Sequence, residues 1–220
     1  LKRTATPLGD LEKPAVRELA QAAGLRTFAK KDSQEICFVP SNDYRLLLEQ
    51  RGVELHPGRI VDVFGKDHGP HTGTENFTIG QRRGHGVAVG VPMYVVEIHP
   101  DQGLVVIGTE GDCKSPEMFV EDLNWLGFDV PSSGTFRCAV QVRYRHRAAP
   151  ATVHVEPGGS TARVEFDEPQ MAVAPGQGAA FYELEADGTG GDLSLGGGWI
   201  RTARRGGLEA DEEAQAPLAP

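Results

Sequence analysis

From Pro57 onward, the apolar residues fall into short runs separated by glycine-rich turns, and this spacing favours a β-rich fold. The runs are RIVDVF, ENFTI, MYVVEIH and LVVIG, with the turns GKDHG, GQRRGHG and PDQG between them. The 28 glycines and 15 prolines among 220 residues fit many short strands joined by turns better than a helical bundle. We therefore predict a small central antiparallel β-barrel over residues 54–110.

A second β unit is predicted over residues 115–204. In the run FRCAVQVR, the residues Phe136, Cys138, Val140 and Val142 are predicted to face one way and Arg137, Gln141 and Arg143 the other, as in a strand with one buried face. The runs TVHV, ARVEF and AAFYE repeat this pattern between the turns GG, PGQG and DGTGG. We expect a C-terminal β-barrel or closed sandwich. Residues 205–220 lack a large apolar pattern and are predicted to form a disordered acidic tail.

Only the first 53 residues have helical spacing. The stretch KPAVRELAQAAGL predicts a short helix, with Pro14 in its first turn and Gly24 after its end. A polar loop follows, and then SNDYRLLLEQRG predicts a second helix that begins after Ser41 and ends at Gly52. The predicted fold class is thus mainly β with a short α-helical N-terminal segment. Because residue 1 is Leu, we expect this sequence to be a piece of a longer protein.

Charge and cysteine content limit the function classes. The formal net charge is −9, so any contact with nucleic acid must come from a local basic patch. The three cysteines are widely spaced and form no CxxC pair, which favours a reduced, cytoplasmic protein. No apolar run approaches the ~20 residues that a membrane-spanning helix needs, and we expect no membrane partner.

Cys37 is the cysteine with the most reactive setting. It lies in the polar segment KKDSQEICF, where Lys30 and Lys31 would lower a thiol pKa, whereas Asp32 and Glu35 would raise it. Residue types alone favour a half-buried structural cysteine over a nucleophile. Cys138 is predicted to lie in a β core. Cys113 lies in a loop, and no activating group is evident in the sequence around it.

The segment RCAVQVRYRHR is the strongest candidate for nucleic-acid binding. It carries four arginines and no acidic residue, and Tyr144 offers a ring on which a base can stack. A solvated strand end explains the pattern equally well. The smaller basic turn at residues 80–86 contains Arg82 and Arg83, and such turns are more often hairpin connections. The four arginines of the segment are Arg137, Arg143, Arg145 and Arg147.

Other candidate motifs are incomplete. His68 and His71 have no cysteine or carboxylate cluster beside them, so we predict no metal site. The segment GHGVAVG does not match a dinucleotide-binding loop, and no P-loop is present. The segment LGGGW is predicted to be a glycine-rich turn between strands.

Seven blocks of sequence occur in the order found in one family. They are LGDLEKPAVRELA, KKDSQEICF, FTIGQRRG, DLNW, RYRHRAAPATV, VEFDEPQMAVAPGQGAAFY and SLGGGWI. From about residue 8 to about residue 201, the chain therefore resembles the tRNA-specific 2-thiouridylases. The resemblance implies an ATP-pyrophosphatase domain, of which residues 1–53 would be the end, then a central β domain and a C-terminal β-barrel that contacts tRNA.

The resemblance also implies a reaction and its residues. Family members use ATP, accompanied by Mg²⁺, to adenylate the C2 oxygen of the wobble uridine 34 of tRNA, and a cysteine persulfide then supplies sulfur. The persulfide cysteine corresponds to Cys37, and tRNA-contacting positions correspond to Arg143, Tyr144 and Gln177. The implied partners are the tRNA anticodon stem-loop and a sulfur donor such as a cysteine desulfurase or a sulfur-relay protein. Supporting roles are expected for Lys30, Lys31, Asp32, Arg82, Arg83 and Arg145.

The pyrophosphate-binding loop of the family, of the SGGVDS type, is absent from this sequence. We therefore expect these 220 residues alone to be inactive in thiolation. Two alternatives remain at this stage: a non-catalytic RNA-binding β-barrel module and, with less support, a tRNA methyltransferase. The methyltransferase has less support because no glycine-rich loop here follows a strand and begins a helix.

Overall fold

The computed structural model describes residues 5–30, 47–48, 50–144 and 146–205. The chain divides into two compact units, Leu1–Glu54 and Leu55–Pro220. None of the helices in the described part of the chain is both long and apolar enough to cross a bilayer. The predicted tail, apart from Arg205, lies outside the described residues.

The first unit contains the helix α1, Lys13–Ala22, which confirms the predicted helix. Pro14 is accepted in the first turn because the N–H groups there have no intrahelical partner. Gly24 follows with a φ of 70°, a left-handed conformation that glycine adopts without a Cβ clash. Of the second predicted helix, the structure describes helical backbone at 47–48 and at residue 50, and Ser41 lies outside the described residues.

The central β region is an open sheet of four strands. The strands are β1 (Gly58–Asp62), β2 (Asp67–His71), β3 (Tyr94–His99) and β4 (Leu104–Gly108). Their order in the sheet is β2-β1-β4-β3, and β1 runs parallel to β4. The prediction of an antiparallel barrel over 54–110 was therefore wrong in closure and in strand direction. The spacing of short apolar runs does not specify which strands pair, because a parallel pair needs only a long enough connection.

Two local predictions in this region were also wrong. The run ENFTI is not a strand: Thr74–Asn76 form a single turn of 3-10 helix, which Phe77 follows in extended conformation. The last three residues of the predicted turn GKDHG, 67–69, belong instead to the strand β2, Asp67–His71. Gly69 and Pro70 have low strand propensity, but β2 is an edge strand, where proline is tolerated. Pairing with β1 thus overrides the local preference.

The C-terminal region is a closed barrel of six strands in the order β10-β5-β8-β7-β6-β9, which confirms the predicted C-terminal β-barrel. Each strand of the barrel pairs with its neighbours in antiparallel orientation. Cys138, Val140 and Val142 are buried in its core, as the alternating pattern predicted. The strands are β5 (Lys114–Trp125), β6 (Thr135–Gln141), β7 (Ala149–Val155), β8 (Ala162–Met171), β9 (Gly178–Leu184) and β10 (Gly190–Arg204).

The segment LGGGW was predicted to be a turn, and this was wrong. It forms the middle of β10. Its glycines are needed because neighbouring backbones approach closely. A Cβ on Gly197 would lie 2.6 Å from the Ala179 carbonyl oxygen, and one on Gly198 would lie 2.5 Å from that of Glu121. The register of β10 with β5 and with β9 shifts in this region, which is typical of strand bulges. Glycine here permits a close strand contact and does not end the strand.

Candidate nucleic-acid interface

The strand register places several chain connections at one end of the barrel. This end, the junction rim, is where β6 ends at Gln141, β7 begins at Ala149, β8 ends at Met171 and β9 begins at Gly178. Gln141 pairs with Ala180 on β9, so the β6–β7 and β8–β9 connections leave the barrel side by side.

The junction rim contains three of the residues that the resemblance implicated in tRNA contact. Arg143 and Tyr144 lie in the β6–β7 connection, and Gln177 lies in the β8–β9 connection. Tyr144 is 86% exposed, so its ring is accessible for stacking. Gln177 is also exposed, and its backbone carbonyl accepts a hydrogen bond from the Ile200 N–H at 2.8 Å. The fold therefore places these residues on neighbouring connections at one end of the barrel.

The place of Arg143 on the polar face of the run suggested a side chain that points freely into solvent, but the structure differs. Arg143 is half-buried, and its Nη1 donates a hydrogen bond to the Ile79 carbonyl oxygen at 3.3 Å. Ile79 lies in the connection between β2 and β3, immediately before the turn with Arg82 and Arg83, both of which are exposed. Arg143 therefore links the junction rim to the basic turn of the central region. Because Ile79 lies far away in the sequence, sequence reasoning missed this contact.

The basic turn, defined here as Gly80–Gly84, has a backbone that its own side chains hold in place. The Gln81 Nε2 donates to the Arg83 carbonyl at 2.9 Å, and His85 Nε2 lies 3.0 Å from the Arg82 carbonyl oxygen. Two backbone bonds tie this turn to β3: Gly80 N–H donates to Val95 at 2.8 Å, and Val95 N–H donates to Gln81 at 2.9 Å. Arg82 and Arg83 thus project from an ordered backbone.

Among the arginines of the segment 137–147 that the structure describes, Arg137 lies apart from Arg143 and Arg147. Arg137 pairs with Asp167 through two contacts of 2.5 Å, and its hydrogen bond lowers the pKa of Asp167. Since a strand rises about 3.3 Å per residue, Arg137 lies roughly 20 Å from Arg143 along the chain. Arg147 is exposed in the β6–β7 connection, and Arg145 lies outside the described residues.

Neither cysteine of the second unit is suited to carry sulfur. Cys138 is fully buried in the barrel core, and desolvation raises its thiol pKa to about 12. Cys113 is 1% exposed, desolvation raises its thiol pKa, and its Sγ lies 3.7 Å from the Val95 carbonyl oxygen. A thiol with a raised pKa is a poor nucleophile near neutral pH. The predicted core position of Cys138 is confirmed.

The segment around Cys37 lies outside the described residues, and so do Lys31 and Asp32. Lys30 is exposed, and its carbonyl accepts a hydrogen bond from the Arg17 guanidinium at 3.4 Å. The part of the chain that the structure describes does not fit a nucleotide phosphate. Its helix α1 follows an acidic residue, Glu12, without a glycine-rich loop.

The histidines of the central region have other partners. His68 Nε2 lies 2.9 Å from an Asp62 carboxylate oxygen, and His71 Nε2 lies 3.1 Å from the Gly103 carbonyl oxygen. Within the described ranges, no group of three or more His, Cys, Asp or Glu side chains could hold a metal ion. These histidines therefore serve as local hydrogen-bonding groups in the sheet.

Three consecutive family models match the chain. They describe a tRNA methyl transferase HUP domain over residues 1–41, a tRNA methyl transferase PRC-barrel domain over 46–109 and an aminomethyltransferase beta-barrel domain over 115–200. The third match lies within the closed barrel. The second match covers the open sheet.

The chain is also similar to curated proteins named tRNA-specific 2-thiouridylase MnmA. It is 46% identical to that of Carboxydothermus hydrogenoformans, 44% identical to that of Solibacter usitatus and 43% identical to that of Geobacter metallireducens. The alignments cover 91–92% of this chain and 53–54% of the relatives, so the chain spans about half the length of these proteins. Over that length, the chain belongs to the tRNA-specific 2-thiouridylase family, as the ordered blocks in its sequence had indicated.

Proposed function

We propose that this chain takes part in tRNA 2-thiolation, the transfer of persulfide sulfur to C2 of the wobble uridine 34. The observation that carries the proposal is the placement of Arg143, Tyr144 and Gln177 on adjoining connections at the junction rim of a family member. In this proposal, residues 1–53 belong to the end of the catalytic domain. Residues 115–204 contact the tRNA, and Arg82 and Arg83 support this contact from the central region, residues 54–110.

The chemistry of the rim suits RNA. The exposed ring of Tyr144 offers a stacking face for an unpaired base, and the exposed side chains of Arg82, Arg83 and Arg147 offer charge to phosphates. In a chain with a net charge of −9, such a local group of arginines supplies attraction that the whole-molecule field does not.

In the proposed reaction, Cys37 carries the transferable sulfur. Its thiolate attacks the outer sulfur of a donor persulfide, so that Cys37 becomes the persulfide and the donor leaves as a thiolate. The burial and raised thiol pKa values of Cys113 and Cys138 support this assignment, because neither thiol can be approached by a donor protein. Lys30 and Lys31 would stabilise the Cys37 thiolate, while Asp32 would oppose them.

ATP and a cysteine desulfurase or sulfur-relay protein are the proposed co-substrate and donor. Since the described residues present no phosphate-binding loop, we assign ATP, and the Mg²⁺ that accompanies it, to none of them. Cys113 and Cys138 are free thiols, which is consistent with the proposed location in the reducing cytoplasm.

The RNA half of the proposal is tested by binding of an unmodified tRNA transcript to the 220-residue chain. Tyr144→Ala should lower affinity by about 5- to 150-fold, the range expected when one stacked base is lost. Phe64→Ala is the matched control, because Phe64 is 91% exposed but lies in the turn between β1 and β2. Equal affinities for the two variants would argue against tRNA contact at the rim.

The sulfur half is tested by loading the chain with a cysteine desulfurase and cysteine, followed by mass spectrometry of its cysteine peptides. One added sulfur atom should appear on the peptide that contains Cys37, and Cys37→Ser should abolish it. Cys113→Ala and Cys138→Ala, which keep the buried sites apolar, should leave loading unchanged. Loading of the Cys37→Ser variant would show that another cysteine carries the sulfur, and no loading of the parent chain, with tRNA binding intact, would favour the non-catalytic RNA-binding module instead.

A further inference from the structure

We propose that Arg143 is a positioning residue: it fixes the basic turn against the junction rim, so that Arg82, Arg83 and Tyr144 form one continuous RNA-binding surface. This inference rests on the proposed tRNA-binding function. It assigns Arg143 a role other than direct contact with a phosphate. The phosphate contacts are assigned instead to the exposed arginines of the basic turn.

The contact between the basic turn and the barrel is close. A Cβ on Gly80 would lie 2.4 Å from the Ala172 Cβ at the end of β8 and 3.2 Å from Arg143 Nη1. Only glycine permits this approach, and its φ of 84° is also a left-handed conformation. Arg143 is therefore enclosed between the turn and the barrel and donates to the last carbonyl before Gly80, that of Ile79.

A closed series of contacts surrounds this point. Gly80 donates to Val95, whose carbonyl oxygen also lies 3.7 Å from Cys113 Sγ. The carbonyl of Cys113 accepts a hydrogen bond from Ala172 N–H at 3.0 Å, and Ala172 lies against Gly80. The contacts of Cys113 Sγ with Val95 and of Ala172 with Gly80 join the sheet to the start of the barrel. Arg143 adds a side-chain contact to the carbonyl of Ile79, which immediately precedes the turn that carries the exposed arginines.

Because the backbone of the basic turn is ordered, the single hydrogen bond from Arg143 to Ile79 can fix both Arg82 and Arg83 relative to the junction rim. Gln81 and His85 hold the carbonyls of Arg83 and Arg82, so both arginines move with the turn as a unit. If Arg143 releases Ile79, both side chains lose their fixed position relative to the junction rim together. Loss of Arg143 should therefore weaken RNA binding through the basic turn.

A double-mutant cycle separates positioning from direct contact. The affinity of the 220-residue chain for an unmodified tRNA transcript is measured against KCl for Arg143→Met, for Arg82→Ala/Arg83→Ala and for the triple variant. If Arg143 is a positioning residue, Arg143→Met should lower the affinity of the parent chain for tRNA. Added to the Arg82→Ala/Arg83→Ala variant, the same substitution should lower the affinity by less than about twofold. A direct phosphate contact would instead make the losses multiply and lower the salt slope by about 0.9 in either background.

Arg147→Ala is the matched control. Arg147 lies in the same connection and is exposed, so its loss should multiply with that of Arg82 and Arg83. Multiplying losses for Arg143→Met as well would overturn the inference. The inference requires that the loss from Arg147→Ala multiply with the loss from the double variant, whereas the loss from Arg143→Met does not.

Amide hydrogen exchange of the free chain supplies a test that needs no RNA. Arg143→Met should speed exchange at Gly80, whose N–H donates to Val95, by about tenfold or more, and Arg147→Ala should leave it unchanged. Unaltered exchange in Arg143→Met would overturn the positioning role even if tRNA binds. If the parent chain binds no tRNA while exchange responds, the anchor exists, and it is the proposed function and the RNA surface built on it that fail.

Discussion

The barrel and the central sheet bury their strands in different ways. The barrel closes on itself, so each of its six strands has a partner on both sides and none is an edge strand. The central sheet is open, with β2 and β3 at its edges, and its main buried cluster has five members against fifteen in the barrel. This contrast indicates that the barrel can hold its shape from its own core, whereas the sheet gains stability from its contacts with the barrel.

Those contacts are few and specific. A small apolar cluster joins Val96 of the sheet to Cys113 and Ala172 at the barrel. Arg205, at the end of β10, is buried with its Nη1 3.7 Å from a Glu97 carboxylate oxygen, and desolvation lowers its pKa. Substitutions in the barrel core, at the sheet–barrel contact and in the sheet should therefore have decreasing effects.

The largest expected effect is in the barrel core. Phe181 is fully buried and stacks on Trp125 at a ring-centroid distance of 5.6 Å. Phe181→Ala should reduce the free energy of unfolding by about 3–5 kcal/mol, because it removes buried apolar surface and leaves a cavity. Urea denaturation followed by tryptophan fluorescence measures the change. Phe64→Ala should stay within about 0.5 kcal/mol, and a similar loss for both would remove the assigned importance of the barrel core.

Gly80→Ala tests the contact between the two regions. The new Cβ would meet the Ala172 Cβ and also take a left-handed conformation, so we expect a loss of about 2–4 kcal/mol. Gly86→Ala is the control, because Gly86 has a φ of 80° and no atom within 4 Å of the new Cβ. Its loss should be only about 1 kcal/mol. Equal losses in thermal or urea unfolding would mean that backbone strain, and not the close contact, explains both.

The two buried cysteines give a finer comparison. Cys138→Ser places a hydroxyl in the apolar core of the barrel and should cost about 1–3 kcal/mol. Cys113→Ser should cost less, because Sγ of Cys113 already lies near the Val95 carbonyl, which a serine hydroxyl could reach as a donor. Urea midpoints of the two variants decide the order. A greater loss at Cys113 would show that the sheet–barrel contact tolerates change less than the core does.

The smallest expected effect is electrostatic and lies in the sheet. Desolvation raises the pKa of Glu75, but hydrogen bonds from His56 outweigh it and lower this pKa to about 2. A lowered pKa contributes stability above the ordinary value, 4.5, and that stability is lost as the pH falls from 4.5 towards 2. Glu75→Gln should therefore cost up to about 1 kcal/mol at pH 7 and almost nothing at pH 2.

The control for the Glu75 prediction is Asp101→Asn, because Asp101 is exposed in a turn of 3-10 helix. Its substitution should change stability little at either pH. Urea unfolding at several pH values measures both variants. A pH-independent loss in Glu75→Gln would indicate that the amide disrupts packing and that the carboxylate charge is not the cause.

Local patterns in the sequence predicted four of the six barrel strands, β6 to β9, but neither β5 nor β10, and not every partner of a strand. Alternation identified β6, because the burial of Cys138 and Val140 is a property of that strand itself. The parallel pairing of β1 with β4 joins segments more than 40 residues apart, and no local pattern specifies it. Gly197 and Gly198 were misinterpreted because glycine marks a turn and a close strand contact equally well.

For the candidate site, the sequence indicated residues whose role in tRNA contact stays a prediction, but not their surroundings. The motif blocks indicated Arg143, Tyr144 and Gln177, and the register of β6 with β9 explains why they share one end of the barrel. The partner of Arg143 is the backbone carbonyl of Ile79. Every residue type carries such a carbonyl, so composition and spacing cannot identify this contact.

The first and last residues of the barrel both lie at the sheet. Cys113, just before β5, is buried there, and the side chain of Arg205, just after β10, lies near Glu97 of the sheet and is only 7% exposed. A domain attached by a single linker can rotate about that linker, but one attached at both of its ends has no single pivot. If the proposed RNA binds the rim, barrel and sheet should therefore move as one rigid body. Force applied at residue 205 should be borne by the sheet contact before any barrel strand separates.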